Sequence, residues 1–460
     1  MSYFRSATEY IIPERIRRQG LLLYNDAYDL WEELQANRAY RRRSRPVVNS
    51  SESAPEHILL VVIDALRGDR VNTKTMPFLS QISGTTTAIS PATWTFPSVT
   101  SIATGKYPHQ HGAMRQSDSP DLTDGLPPKL PRGDNTLADY FSAAGYETYG
   151  GFAFGMPLYA IGGTFKNHSL YNDCQAESDN DAEAVLSDYL SWLRKHPEKR
   201  TFAYIHLADL HSPVNPPKEY WRQYNVDDSI PNITRWGYQN NETGETAERY
   251  KKNRRRLYDA AANYVDTILA ETMEKIPEII GSEPTTIVTS DHGELFWEHV
   301  EFDREHFSSL EGNYGLAHGG TPYEELTRVP ILSNTSDFEG KMFSTIDIAP
   351  MLLSASGISI PSQMTGLPAD RNSDDRHLLT EASRYGFEKK AIYSGDWKLL
   401  VSEGDNKTLS FSLPKNEWVE MPASLRQELQ SELPPWPDGG EMNEVSDITK
   451  KRLQKLGYME

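Results

Sequence analysis

Three apolar segments of this chain are each followed by carboxylate or imidazole side chains, and a further histidine stands in a later loop. The residues are Asp64, the pair Asp209 and His211, the pair Asp291 and His292, and His318. Carboxylate oxygens and imidazole nitrogens are the ligands of hard or borderline divalent cations. A lone histidine is usually a satisfied core residue, but this grouping of acids, histidines and glycines favours a metal site.

A hydroxyl group that could act as a nucleophile lies in the stretch 90–105. Pro97 is typical of the first turn of a helix, where a missing N–H costs little. Thr95 would then stand at the helix N-terminus, where N–H groups and the dipole stabilise an anionic ester. A bound metal would lower the pKa of the hydroxyl and prepare it for attack. The alternative is that Thr95 is only an N-cap, a common role for threonine.

Three near-continuous apolar runs, residues 57–63, 201–207 and 285–290, predict the strands that position these side chains. Such runs are typical of buried parallel strands. In open α/β sheets, sites form at the carboxyl ends of the strands. We therefore expect Asp64, Asp209 and Asp291 to converge at one edge, although Asp64 by itself could be a helix N-cap.

Further patterns predict the surrounding elements. Helices are predicted at 136–145, 179–196 and 248–276, from residue 345, and near 445–456. A strand is predicted at 146–149 and a glycine-rich loop at 150–163. Short antiparallel strands are predicted at 390–401 and 406–418. This order indicates an α/β fold with a small antiparallel sheet near the C-terminus.

The predicted domains are an N-terminal helical extension and linker over 1–55, a catalytic domain over 56–385, and a C-terminal subdomain over 386–460. One or two amphipathic helices are predicted between residues 10 and 40, followed by the basic run 41–45. Peripheral membrane or partner contact through residues 1–45 is one interpretation. We favour a helix that packs on the core, since Glu32 and Glu33 dilute the positive face.

The composition limits the partners and the compartment. With 460 residues and 38% hydrophobic content, the chain can form one large domain with a small one. A formal net charge of −18 argues against nucleic acid or an anionic membrane as a general partner. Cys174 is the single cysteine, which excludes an intrachain disulfide. With no signal-peptide pattern and no long apolar run, we expect a cytoplasmic protein.

Six strings of residues in this chain resemble the motifs of the sulfatase family of the alkaline phosphatase superfamily, in the family's order. They are Asp64-Ala-Leu-Arg67-Gly-Asp69, Thr95-Phe-Pro97-Ser98 with Thr104-Gly105-Lys106, Asp209-Leu-His211-Ser-Pro213, Ser290-Asp291-His292-Gly293-Glu294, His318-Gly with Tyr323-Glu324-Glu325-Leu-Thr-Arg328, and Ser394-Gly395-Asp396-Trp397-Lys398-Leu399. The resemblance runs from about residue 56 to residue 401.

The resemblance implies an α/β/α sandwich with a mixed central sheet and a small C-terminal antiparallel sheet. It also implies roles for individual residues. Asp64, Asp291 and His292 would be metal ligands with Thr95 as a further ligand and the nucleophile. His211 and His318 would contact the oxyanion or the leaving group, and Lys106 and Asp209 would bind substrate.

The chain departs from the family pattern at several of these positions. Sulfatases have Cys or Ser at the position of Thr95, which an enzyme converts to formylglycine, and threonine cannot be converted in this way. Val99 replaces an arginine, Ala65 replaces the second acid of an Asp-Asp pair, and His318 stands where many members have lysine. The stretch 150–155 lacks the lysine and histidine of the family's Gly-Lys-Trp-His loop. The anion pocket is therefore less positive than in a sulfatase.

These observations predict a metal-dependent hydrolase of sulfuric or phosphoric esters, in which Thr95 favours phosphomonoesters or phosphodiesters. The expected cofactor is one divalent ion (Ca, Mg, Mn or Zn), and a second ion through Asp209, His211 and His318 is left open. The expected partner is a small anionic ester, with a glycan or lipid headgroup as options. The alternatives are a phospho- or sulfo-group transferase that acts on such an acceptor, and a non-catalytic binding protein.

Overall fold

The structure, a computed structural model, consists of two main β-sheets with helices around the larger one. It describes residues 30–49 except 32, 54–116, 125–131, 133–171, 182–236, 243–308, 314–335, 338, 342–373, 375–413, 417–437 and 443–444. Cys174, residues 1–29 of the N-terminal extension and the predicted helix near 445–456 lie outside these ranges.

Strands and helices alternate along most of the chain. The strands are β1 (His57–Ile63), β2 (Gly84–Ile89), β3 (Gly125–Leu126), β4 (Glu147–Phe152), β5 (Asn167–Leu170), β6 (Thr201–Leu207), β7 (Thr285–Thr289), β8 (Leu295–Phe296), β9 (Leu316–Ala317), β10 (Arg328–Ser333), β11 (Phe343–Ser344), β12 (Leu378–Thr380), β13 (Lys390–Ser394), β14 (Trp397–Ser402), β15 (Lys407–Ser412), β16 (Glu417–Trp418) and β17 (Asn443–Glu444). After a helix over residues 33–42, the helices are α1 (Thr95–Thr104), α2 (Pro108–His111), α3 (Leu137–Ala143), α4 (Gly155–Ile161), α5 (Ala182–Leu193), α6 (Lys218–Gln223), α7 (Glu245–Ile280), α8 (Val300–His306), α9 (Glu324–Thr327), α10 (Ile348–Ala355) and α11 (Ala423–Ser431).

Within the described ranges, the central sheet has eight strands in the order β11-β2-β10-β7-β1-β6-β4-β5. Strand β10 is antiparallel to both of its neighbours, whereas the pairs around β1, β4 and β6 are parallel. Helix α1 contacts α3, α4 and α10, helix α10 also contacts α3, and α5 packs on α7. The predicted α/β sandwich with a mixed central sheet is confirmed.

The register of the three central strands brings their carboxyl ends level. Ile63 of β1 pairs with Leu207 of β6, and Val62 pairs with Thr289 of β7. All seven side chains of β1 are buried, as its continuous apolar run predicts. The residues that directly follow these strands therefore meet at one edge of the sheet, as expected.

Helix α1 begins at Thr95 and ends before Gly105, with Pro97 in its first turn as predicted. The N-cap residue is Trp94, which makes no side-chain capping hydrogen bond. The interpretation of Thr95 as an N-cap is therefore wrong. Thr95 is the first helical residue, and its hydroxyl donates to Asp64 Oδ2 instead of capping the backbone of its own helix.

The glycine-rich stretch 150–163 is not the predicted loop. Gly150 and Gly151 belong to β4, and helix α4 follows from Gly155. A Cβ at Gly150 would lie 2.7 Å from a ring carbon of Phe152, so glycine serves close packing here rather than a turn.

The small sheet has five antiparallel strands in the order β12-β13-β14-β15-β16, which confirms the predicted C-terminal sheet. A bridge between Ala92 and Glu381 connects the segment after β12 to the loop before α1. Among the described residues, no helix is long and apolar enough to cross a membrane.

The end of the N-terminal extension packs on the core, as we favoured. The Arg43 guanidinium donates to both carboxylate oxygens of Asp139 at 2.8–3.1 Å, and Tyr40 is hydrogen-bonded to Ser142. Asp139 and Ser142 both belong to α3, and Asp139 also accepts a hydrogen bond from the backbone N–H of Thr136, the N-cap residue of this helix. The proposed domain boundaries and the membrane contact of residues 1–45 stay predictions.

A close backbone approach secures the far end of α1. The N–H groups of Thr365 and Gly366 donate to the Gly105 carbonyl at 2.9 and 3.0 Å. A Cβ at Gly366 would lie 2.1 Å from the Ile346 carbonyl oxygen.

Because of this close approach, we expect Gly366→Ala to lower the free energy of unfolding by about 1–3 kcal/mol, as overpacking does. Thermal unfolding at a fixed scan rate measures this, with Gly133→Ala as control, since a Cβ there meets nothing within 4 Å. Equal midpoints for the two variants would contradict the prediction.

Candidate active site

Asp64 directly follows β1 and is fully buried. Its Oδ2 accepts a hydrogen bond from the Thr95 hydroxyl at 3.2 Å and lies 3.1 Å from His206 Nε2. The next residue, Ala65, has a φ of 61°, an uncommon conformation for a residue with a Cβ. This turn directs the chain away from the strand and leaves the Asp64 carboxylate in the interior of the site.

Asp291 faces Asp64 from the end of the neighbouring strand β7. Its Oδ1 accepts hydrogen bonds from the backbone N–H groups of Ala65 (3.3 Å) and His292 (3.0 Å). Its Oδ2 lies 3.5 Å from His292 Nε2. The backbone therefore fixes one oxygen, and the other is directed into the space between the two strand ends.

The His292 ring is oriented by its own backbone neighbourhood. Nδ1 donates to the Gly293 carbonyl at 2.8 Å, so in the neutral ring the lone pair is on Nε2. Nε2 lies 3.3 Å from the Thr95 hydroxyl oxygen and 3.5 Å from Asp64 Oδ1. This arrangement, with one ring nitrogen held by a carbonyl, is the usual one for a metal-binding histidine.

The chemistry of the donor set fits a divalent cation. Asp64, Asp291 and His292 each offer one ligand atom, and these atoms lie within 4.8 Å of one another. Asp64 Oδ1 and Asp291 Oδ2 are buried and accept no hydrogen bond from the part of the chain that the structure describes. A buried carboxylate oxygen without a donor is costly, and a bound cation removes that cost.

Electrostatics also favours a cation here. Burial and the charge of Asp64 raise the pKa of Asp291 to about 6. Burial opposes the ionisation of Asp64, but electrostatic interactions with His211 and His292 and a hydrogen bond with His206 hold its pKa well below the usual range. Burial opposes protonation of His292, and the two carboxylates overcome this and raise its pKa. Two adjacent carboxylates thus compete for positive charge, which a divalent ion would supply.

Two further histidines lie beside this centre. The His318 ring is 4.4 Å from the His292 ring and 4.9 Å from the His211 ring, measured between centroids. Nδ1 of His318 lies 3.0 Å from Glu294 Oε1. Burial lowers the pKa of His211 to about 4 and that of His318 well below its ordinary value. Both rings are therefore neutral at pH 7 in the protein without substrate.

The structure thus brings six predicted residues into one cluster, and it directs two others elsewhere. The cluster comprises Asp64, Thr95, His211, Asp291, His292 and His318. Asp209 Oδ1 accepts from the Ala182 N–H at 3.2 Å, and Lys106 donates to Asp134 at 2.8 Å. The substrate-binding roles of Lys106 and Asp209 stay predictions.

The sequence interpretation did not assign roles to His206 and Glu294. His206 contacts Asp64 and is held on its other side by Tyr204, 3.0 Å from Nδ1. A histidine inside the apolar strand β6 was a usable signal, since it must be satisfied in the core. Glu294 belongs to the string after β7, and burial raises its pKa to about 7.

The fold and the site together define an alkaline-phosphatase-like α/β sandwich with a candidate metal centre at the strand ends. The family model described as Sulfatase matches residues 56–358. The chain therefore belongs to the sulfatase family, which confirms the resemblance seen in the sequence.

Known proteins are similar over part or most of the chain. An arylsulfatase of Clostridium perfringens is 25% identical over 290 residues, which are 54% of this chain and 57% of that protein. The chain thus matches little more than half of that relative's length. One similar solved structure is that of a protein in complex with its substrate, D-glucosamine-2-N,6-O-disulfate. The two structures match with a TM-score of 0.62 at 14% sequence identity, over 88% of this chain and 98% of the other chain. The phosphonate monoester hydrolase of Silicibacter pomeroyi matches with a TM-score of 0.61 at 16% sequence identity, over 82% of this chain and 93% of that protein.

Metal content tests the cation site. Because Asp291 Oδ2 is one of the two buried oxygens without a donor, we expect the wild-type protein to retain about one divalent ion per chain after reloading and gel filtration. Asp291→Asn should lose most of it. Elemental analysis measures both, and Glu301→Gln on the exposed surface of α8 is the control. Equal metal content in Asp291→Asn and wild type would exclude this ligand set.

Proposed function

We propose that this protein is a divalent-metal-dependent ester hydrolase in which Thr95 is the nucleophile and phosphoric esters are preferred. The observation that carries the proposal is the position of the Thr95 hydroxyl. The hydroxyl oxygen lies 3.2 Å from Asp64 Oδ2 and 3.3 Å from His292 Nε2. Thr95 itself is the first residue of a buried helix. These contacts place the hydroxyl against the candidate metal ligands.

The side chains around Thr95 prepare it for attack. Its hydroxyl donates to Asp64, which orients the oxygen for attack, and a bound cation would lower the pKa of the hydroxyl so that its proton is released to solvent. The first N–H groups of α1 have no intrahelical acceptor and favour negative charge at this position. A divalent ion held by Asp64, Asp291 and His292 would supply Lewis acidity towards the ester oxygens and stabilise the alkoxide.

His211 and His318 serve the leaving group in this proposal. Both are neutral in the free protein, because burial lowers their pKa values. An anionic ester bound against the rings raises these pKa values again, since a nearby opposite charge favours the protonated form. One ring can then donate a proton to the leaving oxygen as its bond breaks and the bond from Thr95 forms. Glu294 orients His318 through Nδ1.

The identity of residue 95 supports phosphorus as the centre that is attacked. A formylglycine hydrate has a second hydroxyl that can expel sulfate, and a threonine ester lacks it. Water must therefore attack the transferred group directly and break its bond to Thr95. Enzymes catalyse such displacement at a phosphoryl group almost entirely by positioning the reactants and stabilising the charge of the transition state. The neighbour named as a phosphonate monoester hydrolase is consistent with phosphorus chemistry on this fold.

Replacement of the nucleophile tests the mechanism. Thr95→Val keeps the shape and removes the oxygen that attacks, so we expect kcat to fall by roughly a thousandfold or more on an aryl phosphate assayed with Mn, Mg, Ca or Zn. The control is Thr104→Val at the other end of α1, whose hydroxyl donates to the Thr100 carbonyl. Mass spectrometry of a rapidly quenched reaction should show phosphate on the peptide containing Thr95. Full activity of Thr95→Val would refute the assignment.

A substrate series tests the preference. We expect aryl phosphate monoesters or diesters to be cleaved with kcat/KM at least about tenfold above the matched aryl sulfate. The same leaving group is used throughout, so the ratio reports on the transferred group alone. A higher kcat/KM for the sulfate would overturn the preference for phosphorus while leaving the hydrolase assignment intact.

A further inference from the structure

Tyr204 and His206 are two residues apart on β6, so their side chains lie on the same face of the central sheet. His206 pairs with Val62 of β1 in the parallel register. The ladder continues past the end of the strands, since the Asp64 N–H donates to the Leu207 carbonyl at 2.8 Å. Asp64 comes two residues after Val62, and its side chain therefore lies on the same face as that of His206. The pairing of β1 with β6 thus brings the His206 ring beside the Asp64 carboxylate.

The three side chains form a series of hydrogen bonds whose direction follows from their chemistry. His206 Nε2 lies 3.1 Å from Asp64 Oδ2, and His206 Nδ1 lies 3.0 Å from the Tyr204 hydroxyl oxygen. A carboxylate that binds a metal is ionised and can only accept, so Nε2 carries a hydrogen. In the neutral ring Nδ1 is then an acceptor, and the Tyr204 hydroxyl donates to it. Burial and the charges of Asp291 and Asp64 raise the pKa of Tyr204 well above its ordinary value, so the phenol keeps the proton that it shares.

Aromatic packing holds both rings in this arrangement. The side chains of His206 and Tyr204 are fully buried. Phe154 meets the His206 ring edge-on at a centroid distance of 5.7 Å, and the rings of Phe152 and Phe165 each lie 5.8 Å from that of Tyr204. A rotated imidazole would lose both hydrogen bonds inside this apolar surrounding, which is costly for buried polar atoms.

The two oxygens of Asp64 have different surroundings. Oδ2 accepts from the Thr95 hydroxyl at 3.2 Å and from His206, whereas the buried Oδ1 accepts no hydrogen bond from the described residues. Oδ1 is therefore the oxygen left for a cation. In the proposed reaction Thr95 loses its proton, and with it the hydrogen bond to Oδ2. Of these two donors to Oδ2, His206 is the one that remains after that step.

We propose that His206 is a positioning residue that keeps Asp64 a metal ligand through Oδ1 alone, and that Tyr204 holds the His206 ring in the form that donates to Oδ2. The inference rests on the proposed function, because it concerns the ligand and the hydroxyl that this function uses. Hydrogen bonds that orient a ligating side chain from behind raise the affinity for the metal. Both ring nitrogens of His206 are engaged by Asp64 and Tyr204, so this histidine supports the ligand and is not itself one.

Two substitutions at His206 separate the hydrogen bond from the bulk of the ring. In His206→Gln the amide nitrogen can take the place of Nε2 and donate to Asp64, whereas His206→Leu fills space without a donor. We expect His206→Leu to weaken Mn²⁺ binding roughly 10–100-fold and His206→Gln to keep most of the wild-type affinity. The signal of free Mn²⁺ in electron paramagnetic resonance measures both dissociation constants on the full-length protein. Tyr149→Phe, which removes a tyrosine hydroxyl bonded to Ser169 on β5, is the control and should bind like the wild type.

The form of the His206 ring is measured by nitrogen NMR on protein with isotope-labelled histidine and Mg²⁺ in place of Mn²⁺. The His206 signals are assigned by their absence in His206→Gln. We expect a hydrogen on Nε2 in the wild type, and a mixture with the Nδ1–H form in Tyr204→Phe, which lacks the phenol that donates to Nδ1.

Three results would overturn the inference: a wild-type ring without a hydrogen on Nε2, a Mn²⁺ affinity that His206→Leu leaves unchanged, or equal losses in His206→Leu and His206→Gln. A spectrum that Tyr204→Phe leaves unchanged would refute the role of Tyr204. Neither measurement depends on turnover or on Thr95 as the nucleophile. Failure of the proposed function therefore shows in the Thr95→Val assay, and failure of the positioning role shows here.

Discussion

Two carboxylates that face each other in the interior are the constraint on which the site depends. Asp64 and Asp291 are fully buried, and each keeps one oxygen that no described N–H or O–H group satisfies. Burial and the charge of Asp64 raise the pKa of Asp291, and the two carboxylates raise the pKa of His292 against the opposing effect of burial. A divalent ion would relieve this competition, and the Thr95 hydroxyl donates to Asp64, one of the candidate ligands. Acidic ligands, imidazole and nucleophile therefore form one electrostatic unit rather than separate features.

The central sheet holds the two buried carboxylates close together in spite of their repulsion. Parallel pairing of β1 with β7 fixes the distance between the two acids, and the Ser290 hydroxyl, which contacts the Ile63 and His292 carbonyls at 2.7 and 2.6 Å, ties the two strand ends together. Close backbone packing at Gly366 holds the end of α1 that is remote from Thr95. The energy that offsets buried charge thus comes from strands such as β1, whose side chains are all buried and mostly apolar.

The sequence alone determined the three buried strands, the helix that begins near Thr95, the C-terminal antiparallel sheet and the grouping of Asp64, Asp291 and His292. Each of these follows from a local pattern: a continuous apolar run, a proline in a first turn, or polar residues where a strand stops. Only the tertiary structure decided that Gly150 packs inside a strand, that His206 supports Asp64, that Lys106 pairs with Asp134, and that Arg384 lies against Trp94. These contacts join residues far apart in the chain, and the folded backbone sets their distances, which no local pattern encodes.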